Sequence, residues 1–289
     1  MRKAVLLFNP DKPKACAVLG RVQELLQAHG FDVSSYRADA DALYNATWDE
    51  AELRSAEVVV VLGGDGTLLA VARQLAVYQV PLLGINVGHM GFLTESHPDE
   101  LQEAIRRLAD KDYVLETRIM FEAVVRRSGK LLTSFSGLND IGIAKGTFGR
   151  MATIDVYVDS VFVDTYRGDG VLVSTPTGST AYSLSCGGPI VAPHLEILLV
   201  TPICPHTLSA RPFVIDSRQQ IRLMVHAAHK DIGLTVDGQV GFNLEPEDEV
   251  LIRRASQSTT LVKWRDREFF SVLRKKLRNP KDDAASQEV

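Results

Sequence analysis

Cysteine is scarce in this 289-residue chain: Cys16, Cys186 and Cys204 are the only three. An odd number without a Cys-x-x-Cys spacing suggests neither a disulfide framework nor a zinc site, and the three read as reduced, mostly buried thiols. Long apolar runs are lacking too. No stretch approaches the roughly 20 residues needed to cross a bilayer. The apolar start from Ala4 to Phe8 stops at Asn9-Pro10-Asp11, too early for a signal peptide and suited to a first strand. Positive charge is not in excess: 32 Lys and Arg face 36 Asp and Glu, a net charge of -4. That balance provides no global basic field for nucleic acid or an anionic membrane, so small-molecule partners and a cytoplasmic setting are expected. What the chain does have is 45% hydrophobic residues, enough for one large domain or two medium ones.

Up to residue 118 strand and helix patterns alternate: strands at 3–8, 31–36, 58–62 and 81–86, helical stretches at 15–29, 49–55, 67–77 and 98–109. This is the signature of a doubly wound α/β domain, 1–118, with mostly parallel strands. From 119 to 266 the pattern changes to short β-branched or alternating runs, among them 121–126, 131–143, 249–254 and 259–264, separated by turns such as Ser128-Gly129-Lys130 and Asp237-Gly238. A second, predominantly antiparallel β domain is expected there, with one helical interruption near Ser179. The segment 267–289 reads as an amphipathic helix over Glu268 to Leu277 packing back, then a frayed tail from Asn279.

The densest local signal is Val58-Val59-Val60-Val61-Leu62-Gly63-Gly64-Asp65-Gly66-Thr67, a fully buried type of strand that runs into a glycine-rich turn and a helix. Glycines let backbone approach a ligand, and a helix start favours an anion. A carboxylate at that point repels phosphate unless it takes a proton from a hydroxyl or holds a divalent cation that bridges phosphates. A tight turn capped by Asp65 or Thr67 is the plain alternative. The loop Asn86-Val87-Gly88-His89-Met90-Gly91-Phe92 falls at the same carboxyl end of the sheet, where doubly wound folds bind ligands.

A second constellation runs from Arg167-Gly168-Asp169-Gly170 through Thr175-Pro176-Thr177-Gly178-Ser179-Thr180-Ala181-Tyr182 to Ile190. It is rich in small and hydroxylated residues, with Tyr182 offering a flat face for a base. Such a segment suits a nucleoside, and ordinary turn chemistry would also produce it. Taken with Gly63 to Thr67, the Asn139-Asp140 pair and Pro205 to Pro212, it resembles the NAD kinase family, bacterial type, over most of the chain from Val5 to about Leu277.

The resemblance implies phosphoryl transfer from ATP or polyphosphate to the 2′-hydroxyl of the adenosine ribose of NAD, giving NADP, with Mg²⁺ or another divalent metal on the donor. By similarity Asp65 is the catalytic base or orienting group, and Gly63, Gly64, Gly66 and Thr67 form the phosphate loop. Asn139 and Asp140 meet the adenosine part of NAD. Asp140 stands where the family usually has Glu, one methylene longer, so its ribose contact is expected to run through a water. Thr177, Thr180, Ala181 and Tyr182 line the adenine and nicotinamide pockets, Asp169 receives the nicotinamide amide and Phe92 lies beside it. Arg167 bears on the choice between NAD and NADH, and Gln239 lies near a subunit contact close to NAD. The family also implies a homodimer or homotetramer. No metal ligand set is assigned; His226-Ala227-Ala228-His229 reads as a solvated edge. Two other readings share features with this one. A diacylglycerol-type lipid kinase has a similar loop but would want a membrane-facing patch, and a silent NAD-binding sensor would not need Asp65.

Overall fold

The computed structural model describes residues 2–39, 43, 48–88, 91–146, 150–207, 209–226 and 231–277. The expectations for His89, Met90, His229 and the tail from Asn279 lie outside these residues. Two compact units emerge, one of Met1–Val71, Val80–Glu116 and the chain from Thr260, the other of Ala72–Gln79 and Thr117–Thr259.

The first unit contains β1 (Arg2–Phe8), α1 (Pro13–Ala28), β2 (Phe31–Arg37), α2 (Glu50–Ser55), β3 (Val58–Gly63), the start of α3 (Asp65–Leu75), β4 (Leu82–Asn86) and α4 (Leu101–Ala109). Its strands are parallel in the order β2-β1-β3-β4. β3 is buried at every position, as a central strand covered on both faces must be. α4 buries Leu101, Ala104, Ile105 and Leu108, the i, i+3, i+4, i+7 stripe of an amphipathic helix. α2 starts at Asp49, whose carboxylate accepts the N–H groups of Ala51 and Glu52 at 2.7 and 3.2 Å. The core joins Leu6, Val60, Leu62 and Ile85 to Leu26 and Ile105.

The second unit is built from β5 (Val114–Arg127), β6 (Lys130–Gly137), β7 (Asp140–Lys145), β8 (Ala152–Val158), β9 (Val161–Gly168), β10 (Gly170–Ser174), the single turn α5 (Tyr182–Ser185), β11 (Ile197–Ile203), β12 (Phe213–Asp216), β13 (Ile221–His226), β14 (Ile232–Val236), β15 (Val240–Leu244) and most of β16 (Glu249–Lys263). One antiparallel sheet runs β12-β11-β10-β7-β14-β15; a second set pairs β16-β13-β8-β9, with β5 beside β16 and β6 beyond β5. Phe121, Ile141, Val173, Val200, Leu223 and Ile252 belong to the core enclosed by these strands. The end of β16 returns to the first unit, where Leu261 pairs in parallel with Leu82, and α6 (Phe269–Leu277) follows. Among the described residues no helix is long and apolar enough to cross a membrane.

Four expectations change. The run 131–143 is two strands in two sheets, because the chain crosses over at Leu138 and Asn139. The runs 249–254 and 259–264 are one strand: the buried face shifts by one residue between Ile252 and Ala255, and Ala255 and Thr259 then carry burial through the polar stretch to Leu261. The cysteines are not mostly buried; Cys16 and Cys204 are exposed and Cys186 is half-buried, since Cys16 lies off the buried stripe of α1 and Cys204 sits in a turn with φ +43°. His226 is not a solvated edge either. Its Nδ1 meets Glu247 and its Nε2 meets Asp155, each at 2.8 Å, and these two carboxylates, Glu247 foremost, hold its pKa above the usual value.

Candidate active site

In the first unit β3 ends at Gly63, and Asp65 already lies in the first turn of α3. A side chain on Gly63 would run into Thr67 at 2.5 Å, so glycine there is a packing requirement. The Asp65 carboxylate folds over onto the neighbouring loop. Its Oδ2 accepts the N–H of Phe92 at 2.7 Å, and its Oδ1 accepts the N–H groups of Leu93 and Thr94 and the Thr94 hydroxyl at 3.2 to 3.3 Å. Gly91 makes this possible, because a Cβ there would lie 1.7 Å from Asp65 Oδ1. Oδ1 is thus saturated while Oδ2 keeps a lone pair for a further donor. Thr67 is buried and accepts from Asn9 Nδ2 at 3.4 Å; Gly64 is half-buried and Gly66 exposed. The Phe92 ring lies 6.2 Å from that of Phe269 at an interplanar angle of 39°, with Lys276 Nζ 4.5 Å above it.

In the second unit the crossover at Leu138 and Asn139 is held by Asp237. That carboxylate, fully buried, accepts three successive N–H groups, from Leu138 at 3.2 Å, Asn139 at 2.7 Å and Asp140 at 3.1 Å. Asp237 and Gly238, with φ of +50° and +65°, lead the three-residue loop between β14 and β15, which the Gln239 N–H closes onto the Val236 carbonyl at 2.9 Å. Arg73, on the last turn of α3, donates to Asp237 at 2.8 Å and to Gln239 Oε1 at 2.7 Å. Asn139 and Asp140 are therefore displayed on a strap whose backbone is fixed from beneath.

Asp140 is buried, and among the described residues no donor reaches its carboxylate. Burial first, and the nearby Asp237 charge second, push its pKa up to about 7. Across from it Gly178 lies against the strap: a Cβ there would be 2.0 Å from the Asn139 carbonyl oxygen, which accepts the Thr175 N–H at 2.9 Å. Thr177 is buried, and its hydroxyl accepts from Arg118 at 3.2 Å. Thr180 and Ala181 are half-buried, and Tyr182 leaves half of its surface exposed. The Tyr182 phenol is pushed up by burial and then by Cys186, with Cys204 and Asp169 in electrostatic range. Asp169 pairs with Lys145 at 3.2 Å, and Arg167 is exposed on β9.

In the second unit Asn139 and Asp140 meet the chain at 174–177, at the end of β10, Asp169 pairs with Lys145 at the opposite end, and Tyr182 is in electrostatic range of Asp169; Gln239 is tied through Arg73 to Asp237, and Arg167 is exposed. The first unit gathers Asp65, Gly64, Gly66, Thr67 and Phe92. The sequence reading missed Arg73, Arg118 and the clamp by Asp237, and it named Gly91 only as part of the Asn86 to Phe92 loop. One signal was present for Arg73, a single cation among Leu68, Leu69, Val71, Ala72, Leu75 and Ala76.

Residues 5–113 match the ATP-NAD kinase N-terminal domain, and residues 138–264 match the ATP-NAD kinase C-terminal domain. The NAD kinase of Moorella thermoacetica is 42% identical over 280 residues, covering 96% of this chain and 90% of that protein. That of Natranaerobius thermophilus is 40% identical over 283 residues, covering 96% and 98%. Among solved structures, yeast NADH kinase complexed with NADH superposes with a TM-score of 0.83 at 24% identity over 96% of this chain and 87% of that one. An NAD kinase from Archaeoglobus fulgidus in complex with ATP gives 0.73 at 25% identity over 95% and 98%.

Proposed function

This chain belongs to the ATP-NAD kinase family, and from that premise we propose that it moves the γ-phosphoryl group of ATP to the 2′-hydroxyl of the adenosine ribose of NAD, with Asp65 accepting the hydroxyl proton. The observation that carries the residue assignment is the unequal use of the two Asp65 oxygens. Oδ1 is saturated by Leu93 and Thr94, whereas Oδ2 accepts only the Phe92 N–H and has room for the ribose hydroxyl. Gly64, Gly66 and Thr67 hold the donor phosphates with backbone and hydroxyl groups at the start of α3. The strap residues Asn139 and Asp140 take the adenosine, Thr177, Thr180, Ala181 and Tyr182 line the base pockets, and Asp169 takes the nicotinamide amide.

The donor set also fits Mg²⁺. That ion keeps most of its waters and binds through substrate phosphates and one or two carboxylates, so it needs no cluster of three protein ligands; among the described residues none occurs. The donor phosphates beside Gly64 to Thr67 would hold it, with Asp65 as the nearby carboxylate charge, and it would neutralise charge on the transferring phosphoryl group.

The test is to incubate the full chain with NAD, ATP and Mg²⁺ and to follow NADP with an NADP-specific dehydrogenase, repeating with polyphosphate and with NADH. Asp65→Asn should lower kcat by about 10²- to 10⁴-fold while calorimetric NAD affinity stays within a few-fold of the parent. Unchanged turnover would remove Asp65 from the chemistry.

A further inference from the structure

Neither the glycine loop nor Asp65 brings positive charge to a donor that carries several negative ones. The geometry points to Lys12 as the missing cation: we infer that its ammonium binds the phosphate chain of the donor across Gly64. The inference rests on the phosphoryl-transfer reading above.

The loop from β1 to α1 is tied down beside β3. Asn9 N–H donates to the Leu62 carbonyl at 3.2 Å, the Asn9 side chain accepts the Asp11 N–H at 2.9 Å, and the Asn9 carbonyl accepts the Lys12 N–H at 3.1 Å. The Asn9 amide also reaches Thr67 of the phosphate loop. This tight reversal carries Lys12 over the end of β3. A side chain starting on Gly64 would meet Lys12 Nζ at 3.1 Å and Asn86 Oδ1 at 3.9 Å, so the bare glycine leaves the space the ammonium uses. Lys12 is half-buried, and among the described residues no hydrogen bond or ion pair engages its ammonium.

The helix that follows makes the same point. Lys12 is the N-cap of the 16-residue α1, its side chain does not cap, and the first turn has no acidic residue but does have Lys14. Cations at the positive end of a helix are unfavourable unless an anion sits between them. A triphosphate chain lying on Gly64 to Thr67 is that anion. A lysine serves such a chain as a point charge with three rotatable donors.

In the transfer step the ribose 2′-oxygen forms a bond to the γ-phosphorus. The bond from that phosphorus to the β,γ-bridging oxygen breaks, its electron pair leaving with the diphosphate, and the hydroxyl proton passes to Asp65 and then to water. Lys12 transfers nothing. It binds the chain and stabilises the charge that grows on the departing diphosphate. ATP and polyphosphate present the same chain, so Lys12 acts alike on both.

The experiment uses the full-length protein with Lys12→Met and Lys12→Arg. Calorimetric titration with tripolyphosphate, without NAD, should show affinity reduced about 10- to 100-fold in Lys12→Met and partly regained in Lys12→Arg, with NAD affinity unchanged. With ATP and with tripolyphosphate as donors, kcat/KM for the donor should fall by a similar or larger factor while KM for NAD holds. Parent-like tripolyphosphate binding and donor kcat/KM in Lys12→Met overturn the inference. If the parent protein makes no NADP from any donor, the reaction assignment fails instead, and the tripolyphosphate titration then decides the role of Lys12 by itself.

Discussion

Asp65 and Asp237 use one device in two settings. Each is followed by glycine and gathers three consecutive backbone N–H groups, those of Phe92, Leu93 and Thr94 in the first unit and of Leu138, Asn139 and Asp140 in the second. A carboxylate has about four lone-pair sites, so three amides leave little over. The surroundings decide what is done with the remainder. Asp237 is sealed, and its last site is taken by Arg73 at 2.8 Å. Asp65 is half-buried, and among the described residues it has no ion pair; the Thr94 hydroxyl loads the same oxygen as two of the amides. The fold uses Asp237 completely, while Asp65 keeps one oxygen open to a further donor.

The largest effect that separates the two is on stability. Asp237→Ala takes the counter-charge from Arg73 and frees three amides at the crossover, and removing one member of a buried pair typically costs about 3–5 kcal/mol. Asp65→Ala removes bonds at a wetter site, where about 1–2 kcal/mol is expected. Urea unfolding of both variants measures this, and equal losses would dissolve the distinction.

The next effect is on pH dependence, and it belongs to Asp140 alone. Its pKa is pushed up to about 7 in the folded protein, by burial first and Asp237 second, against an ordinary carboxyl value of 3.8. Below the ordinary value both states hold the proton and nothing is gained or lost. Between the two values the native state keeps a proton that the unfolded chain has released, so stability falls as pH rises and levels off above about 7. From about pH 5 to pH 7 the fall contributed by this residue is on the order of 2 kcal/mol. Asp140→Asn should flatten that part of the profile, read as the urea midpoint against pH. A parent profile with the same slope as the variant would show Asp140 to be ionised throughout.

The glycine-rich turn after β3 was legible because its information is local. Four valines, a leucine, three glycines and one carboxylate in ten residues specify a buried strand, a tight turn and a helix start without reference to anything distant. The Asp237-Gly238 turn was legible for the same reason, and the structure places both residues at positive φ. What Asp237 holds was not legible. Its amides lie 97 to 99 positions away and its guanidinium 164 away, and no spacing rule reaches that far. The strand break at Leu138 is invisible for a related reason: both sides are apolar enough to continue, and only the clamp shows that the chain changes sheets. Resemblance to a family supplied Asn139 and Asp140 as ligand-facing residues. It did not supply the reason their backbone stays in place.

The smallest effect is the most specific. Arg73→Lys keeps a cation near Asp237, so the buried carboxylate stays compensated. An ammonium cannot reproduce the two-pronged contact, one nitrogen to Asp237 and the other to Gln239. Global stability should therefore change little, whereas the turn bearing Gln239 loosens and the strap bearing Asn139 and Asp140 shifts with it. A displaced strap weakens binding of the acceptor without touching the donor loop. KM for NAD should rise about fivefold to tenfold, with KM for ATP and the thermal midpoint close to the parent values. A matching rise in both Michaelis constants would mean that Arg73 acts on the whole site, and the separation between a reactive aspartate and a structural one would lose its clearest functional reading.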